Sequence, residues 1–212
     1  MKINILGHGF ISLIDFRNNI IHAARQSHQS HDRATPVSDT NLIRQMLHRE
    51  HMSPFEQAVF WFEIRAPIMV RDHFFTYRMA SKVAESWRAN RLTDGDFSTR
   101  FYVPSPPRCT EEGKNAYIKT ASYCVSQYRL ALNRGEPPEL ARMHLNTPGL
   151  YTSWDWSFNA VTMMNILSQR LTPGTQWETA EYVRALWKAF KIKLPVVAEA
   201  FRELNKELLY DE

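Results

Sequence analysis

The chain has 212 residues, 44% hydrophobic and 23% charged, with 26 basic against 22 acidic side chains for a net charge of +4. That length buries a sizeable core as one domain, and no apolar run approaches the roughly 20 residues that span a bilayer. Scattered arginines interleaved with acids argue against a polymer-binding basic face, so nucleic acid is not an expected partner; a local excess over residues 65–100 suits a small anionic ligand.

In chain order, residues 2–7 alternate as an edge strand, and residues 10–27 read as an amphipathic helix with Ile11, Ile14, Ile20, Ile21 and Ala24 on its apolar side. Ser38-Asp39-Thr40 supplies a cap for a helix reaching about Arg49. The β-branched and aromatic run Ala58 to Ile64 is a strand ended by Pro67, which opens a helix towards Met79. Residues 97–103 read as a strand closed by Pro104-Ser105-Pro106-Pro107. A long helix over 111–133 ends at Gly135. Leu150 to Trp156 is a strand, and Asn159 to Leu171 a helix stopped by Pro173-Gly174. Helices over 175–191 and 194–209 finish the chain. The expected class is α+β: a small, mostly antiparallel sheet with surrounding helices.

Several residues carry possible chemistry. Arg78 and Ser81, three apart on the expected helix, share a face, with Ser86 and Arg88 just beyond. A hydroxyl beside a guanidinium cradles phosphate, because arginine offers a planar fork of donors. Arg170 ends the otherwise apolar run Val161 to Leu167. On an ideal helix it returns to nearly the angle of Asn159, while Asn165 lies well off it. On spacing alone, Arg170 reads as a cation covering a helix C-terminus.

Other signals are weaker. Gly7-His8-Gly9 lacks the third glycine of a dinucleotide fingerprint, Ser12 standing in its place. His22, His28, His31, His48 and His51 read as surface or capping residues, and no metal is expected. Cys109 and Cys124 form no disulfide framework, and Cys109 reads as a structural thiol. With an N-terminus too soon polar for a signal peptide, the expected compartment is a reducing cytoplasm.

Read together, these stretches resemble the flavin-dependent thymidylate synthases over most of the chain. The family signature Arg-His-Arg-x-x-Ser-x-Asn-Glu-x-Ser-x-Arg-Tyr aligns with Thr76 to Ala89, matching at Arg78, Ser81, Ser86 and Arg88. His51-Met52-Ser53-Pro54-Phe55-Glu56 matches the family's His-x-Ser-Pro-Phe-Glu. Arg142, Leu150-Tyr151-Thr152, Asn159, Asn165, Arg170 and Gln176-Trp177-Glu178 follow in family order.

The resemblance implies a homotetramer with active sites shared between subunits. FAD, with NADPH as reductant, would supply the hydride, and methylenetetrahydrofolate the carbon added to C5 of dUMP. Ser86, Arg88 and Arg142 would hold the nucleotide phosphate. Arg170 would bind the pyrimidine and act as the catalytic electrostatic group. Ser53, Arg78, Asn159 and Asn165 would contact the flavin.

The chain also departs from the family pattern. Thr76-Tyr77 replaces an Arg-His pair, and Ala84 a glutamate that adjacent Glu85 could substitute. Val161 replaces an arginine and His73 a glutamine, and one extra residue falls between Arg142 and Asn159. The expected function is therefore conversion of dUMP to dTMP. The alternatives are a methylase or hydroxymethylase acting on dCMP or dUMP in a modified-base pathway, and an inactive nucleotide- or nucleic-acid-binding homologue.

Overall fold

A sharp reversal at the N-terminus builds the first hairpin. Leu6 and Gly7 both adopt positive φ, 51° and 75°, a conformation glycine takes without steric cost. They fold β1 (Lys2–Ile5) back onto β2 (Gly9–Asn18) as an antiparallel pair. The computed structural model describes residues 1–26, 35–86 and 97–208. The expected helix over 10–27 is thus corrected to a ten-residue strand followed by a short helix, α1 (Ile20–Gln26). A register shift between Leu13 and Asp15 explains the misleading spacing. Ile11 and Leu13 face the core by alternation, and the extra residue then brings Phe16 opposite Phe60 on the same face.

The remaining strands are β3 (Ala58–Pro67), β4 (Ala80–Ala84) and β5 (Tyr151–Asn159), in the sheet order β1-β2-β3-β5-β4, every pair antiparallel. The expected α+β class and antiparallel sheet hold. Alternate residues of β3 (Ala58, Phe60, Phe62, Ile64, Ala66) are fully buried, opposite Phe158, Trp156 and Trp154 of β5. On the other face of β3, Val59 and Trp61 are exposed.

Helices α2 (Pro36–His48), α3 (Ile68–Phe75), α7 (Ala160–Arg170), α8 (Trp177–Lys193) and α9 (Pro195–Leu204) contribute to the core over the buried face. A separate apolar cluster forms where α5 (Glu111–Asn133) packs on α6 (Pro138–Ala141), Leu145 and Leu150. Thr110 caps α5 by accepting from Gly113 N, and Gly135 past its end has φ of 81°. The strand expected over 97–103 is instead one helical turn, α4 (Phe97–Arg100), and an isolated bridge from Phe101 to Leu150.

The expected helix from Pro67 to Met79 stops four residues short. Thr76 ends α3, its hydroxyl donating to His73 O at 2.7 Å. A turn then leads into β4, at one edge of the sheet. On β4, Lys82 points to the core side opposite Trp156 and donates to the carbonyl of Tyr77.

Candidate active site

The turn between α3 and β4 meets the C-terminal end of α7, and this junction gathers two of the four predicted cofactor-side residues, Arg78 and Asn165. A cleft of about 720 Å³ opens there, lined by Thr76, Arg78, Val161, Asn165 and Ser168 among others, with Met52, Met79 and Met164. Clefts of this size commonly hold organic ligands. Ser53 follows Met52 at the start of a 3-10 turn (Ser53–Gln57). Asn159 is the N-cap of α7, its Oδ1 accepting from Thr162 N at 2.9 Å, which leaves its amide NH2 for a ligand.

Arg78 and Ser81 do not share a helix face. Arg78 lies in the turn and Ser81 in β4, paired with Ser157. Asn165 is exposed on the cleft side of α7.

Arg170 is the last residue of α7 and is held from the α3–β4 turn. Its Nε donates to the phenolic oxygen of Tyr77 at 3.2 Å, and that hydroxyl donates to Gln169 Oε1 at 3.1 Å. Gln169 Nε2 in turn donates to Asn165 Oδ1 at 2.8 Å. Burial pushes the Tyr77 phenol above its ordinary pKa, against the pull of the neighbouring Arg170. His73 is pushed below the usual imidazole value, chiefly by burial and then by Arg170, so a neutral ring stands beside a fixed cation. His73 Nδ1 and Thr179 Oγ1 lie 3.0 Å apart.

The predicted phosphate residues lie elsewhere in the chain. Arg142 lines a second cleft of about 170 Å³ with Ile68, Arg71, Leu145, Thr147 and Leu150. Ser86 lines neither cleft, and Arg88 lies outside the described residues. Glu85, next to the missing signature glutamate, is committed to the sheet: its carboxylate accepts from Ser153 N at 3.1 Å and stands 3.8 Å from Arg100.

A cleft of about 710 Å³ beside the β1–β2 turn contains none of the predicted residues. Glutamates offset two of its arginines, Glu181 pairing with Arg184 and Glu178 with Arg108.

Sequence reasoning named Tyr77 only as a departure and missed Gln169, Thr162 and Arg71. Gln169 had a local signal, since it stands four residues after Asn165 on one helix, where amide side chains meet. Arg71 and Arg142 come to line one cleft only through tertiary packing, and had none.

Fold and site together define a small α+β protein in which an arginine is clamped to a tyrosine that lines an open cleft. A family model described as thymidylate synthase complementing protein matches residues 11–196. The flavin-dependent thymidylate synthase of Thermotoga neapolitana is 34% identical over 209 residues, covering 95% of this chain and 94% of its own. That of Kosmotoga olearia is 33% identical over 220 residues, covering 95% and 93%. Among solved structures, a UMP/dUMP methylase, PolB from Streptomyces cacaoi, bound with 5-Br dUMP, shares the fold with a TM-score of 0.80 at 24% identity. It covers 96% of this chain and 99% of its own. The chain belongs to the flavin-dependent thymidylate synthase family. Among the described residues, no helix is long and apolar enough to cross a membrane.

Proposed function

We propose that this chain transfers a one-carbon unit from methylenetetrahydrofolate to C5 of dUMP and releases dTMP. The observation that carries this reading is Arg170, a guanidinium tethered at Nε to Tyr77, which itself lines the large cleft. C5 of uracil is a poor nucleophile until negative charge can build on N3 and the carbonyl oxygens, and a permanently charged guanidinium stabilises that charge without moving a proton.

The large cleft fits a flavin by its donor set. Methionine and valine side chains suit a planar ring, while Arg78, Thr76, Asn165 and Ser168 supply polar contacts along it. Arg78, Asn165, the Asn159 amide and Ser53 would hold FAD. When bound and reduced, with NADPH as the reductant, FAD supplies the hydride that completes the methyl group. Arg142, with Ser86 and Arg88, grips the nucleotide phosphate, and Arg71 beside Arg142 adds a second guanidinium to that cleft. Arg71 also stands 2.8 Å from Asp72, which offsets part of its charge.

Incubating the purified protein with dUMP, methylenetetrahydrofolate and NADPH, and weighing the product, tests the reading. A methylated uracil nucleotide is expected, together with the visible absorption of bound flavin. An added oxygen in the product, or turnover of dCMP alone, moves the assignment to a modified-base enzyme. Binding of dUMP without any product marks an inactive homologue.

Arg142→Ala is expected to weaken dUMP binding by about 1.5–3 kcal/mol, the worth of one charge-assisted contact. Calorimetry should find affinity for deoxyuridine nearly unchanged. Equal losses for nucleotide and nucleoside would remove Arg142 from the phosphate site.

The active form is a homotetramer working in the cytoplasm. Val59, Trp61 and Ile14 leave apolar area exposed in the sheet, and Tyr117, Ile118, Tyr123 and Leu130 do so on α5. Exposed apolar side chains of this kind are available to bury against further copies of the chain, and closed symmetry is the usual outcome. Sharing sites between subunits brings Ser86 and Arg142 of one copy within reach of another copy's flavin cleft. Light scattering should give four times the chain mass at micromolar concentration, and a monomer mass would rule out the shared site.

A further inference from the structure

An arginine that stabilises charge on a flat ring is useful only if its own plane is fixed, and its long side chain otherwise samples many rotamers. Arg170 is half-buried, and among the described residues Tyr77 supplies its one hydrogen bond. The tyrosine is itself firmly placed. Its ring is 6% exposed and lies 6.5 Å from that of Trp156. Its backbone N donates to Phe74 O at 3.2 Å, and its carbonyl accepts from Lys82 Nζ. Thr162 Oγ1 pins the other end of the turn by donating to Met79 O at 3.0 Å.

The hydrogen bonds run in one sense, from Arg170 Nε to Tyr77, from Tyr77 to Gln169 Oε1, and from Gln169 Nε2 to Asn165 Oδ1. A hydroxyl that donates onward is a better acceptor for the guanidinium behind it.

We propose that Tyr77 is a positioning residue for Arg170: its phenolic oxygen ties down Nε and leaves the two-Nη edge of the guanidinium to face the pyrimidine. The assignment rests on the reading of Arg170 as the ring-facing group. Tyr77 supplies no charge and need not touch substrate. It sets the plane of the group that does, with Gln169 and Asn165 bracing the phenol from α7.

Tyr77→Phe keeps the buried ring and removes the hinge. At saturating dUMP, kcat should fall by about tenfold or more, as expected for losing a hydrogen bond to a charged group, while KM for dUMP changes by less than about twofold. Gln169→Leu, altered at an exposed position, should lower kcat by a smaller factor and have no further effect once Tyr77 is Phe. In an Arg170→Ala background, Tyr77→Phe should change kcat by less than about twofold, because residues acting as one unit are not additive. A tyrosine that merely fills space would give the same loss in both backgrounds, which would overturn the proposal.

A second readout needs no turnover. In arginine-labelled protein, the Nε–H resonance that disappears in Arg170→Lys should exchange slowly with water and lose that protection in Tyr77→Phe. Fast exchange in the unaltered protein would refute the hydrogen bond. Slow exchange with an undiminished kcat in Tyr77→Phe would refute the positioning role. If the unaltered protein made no methylated product from dUMP, the function reading would fail while the exchange measurement still judged the tether.

Discussion

Arg170→Ala is expected to cut turnover by about a hundredfold or more while dUMP binding falls far less. The asymmetry follows from where the charge is needed. In the ground state the uracil ring is neutral and gains little from a nearby cation. As C5 attacks, charge accumulates on N3 and the carbonyl oxygens, and the guanidinium then contributes most. Losing one such fixed donor typically costs about 2.7–4 kcal/mol of transition-state stabilisation. In the proposed arrangement Arg142, which lines the smaller cleft, holds the phosphate separately, so affinity has another source. Arg170→Lys should recover only part of the rate, because an ammonium is a point charge without a planar fork and has no Nε to meet Tyr77. Steady-state kinetics with saturating dUMP decide the matter. Near-normal kcat in Arg170→Ala would reduce this arginine to a cap on α7, where a cation is favourable in any case.

The largest expected loss of stability comes from Phe62→Ala. Phe62 has no exposed surface and lies in the middle of β3, with ring centroids 5.9 Å from Phe60 and 5.7 Å from Phe158. Truncating it removes the buried ring and leaves a void that the sheet above and the helices below cannot fill without breaking their own packing. Buried phenylalanines cut to alanine cost about 3–5 kcal/mol. For a chain of this size that corresponds to a fall of about 6–20 °C in Tm. Unfolding should be followed at one fixed protein concentration, since assembly itself adds stability. A shift below about 2 °C would mean that the aromatic layer repacks freely, contrary to a close-packed interior.

The parts of the fold legible in the sequence are those with strong local punctuation. β3 is a continuous β-branched and aromatic run closed by Pro67, and α5 is bounded by Thr110 and Gly135. α7 has an asparagine cap and the Pro173-Gly174 stop beyond it. The misreadings arose where tertiary structure overrides the pattern. The bulge in β2 breaks the two-residue alternation and gives Ile11 and Ile14 a helix-like spacing. α3 ends at a threonine bonded back to His73 O, with no glycine or proline to announce it, so Arg78 and Ser81 read as part of the helix. Around Phe101, a single bridge to Leu150 takes the place of the expected strand.

Resemblance and sequence order singled out Arg170, Arg78 and Asn165; Arg78 and Asn165 line the large cleft, and Arg170 bonds to Tyr77, which lines it too. The tie between Tyr77 and Arg170 spans 93 residues and joins a turn to a helix end, so neither periodicity nor motif reveals it. The same limit hid the cleft that Arg71 and Arg142 line together.

Among the described residues, β4 pairs with β5 on one side only. An open sheet margin offers unpaired backbone groups to any extended peptide, and copies of one chain can zip together along it. Lys82 works against that outcome. Its half-buried ammonium lies on the core side of the outermost strand, over the Phe75 ring at 5.3 Å and against the Tyr77 carbonyl. Burial already pushes its pKa below the usual lysine value. A further strand laid along β4 would cut the ammonium off from its remaining water, at a cost that grows as the contact tightens. The lysine that steadies the turn below the large cleft thereby also disfavours self-pairing along this margin.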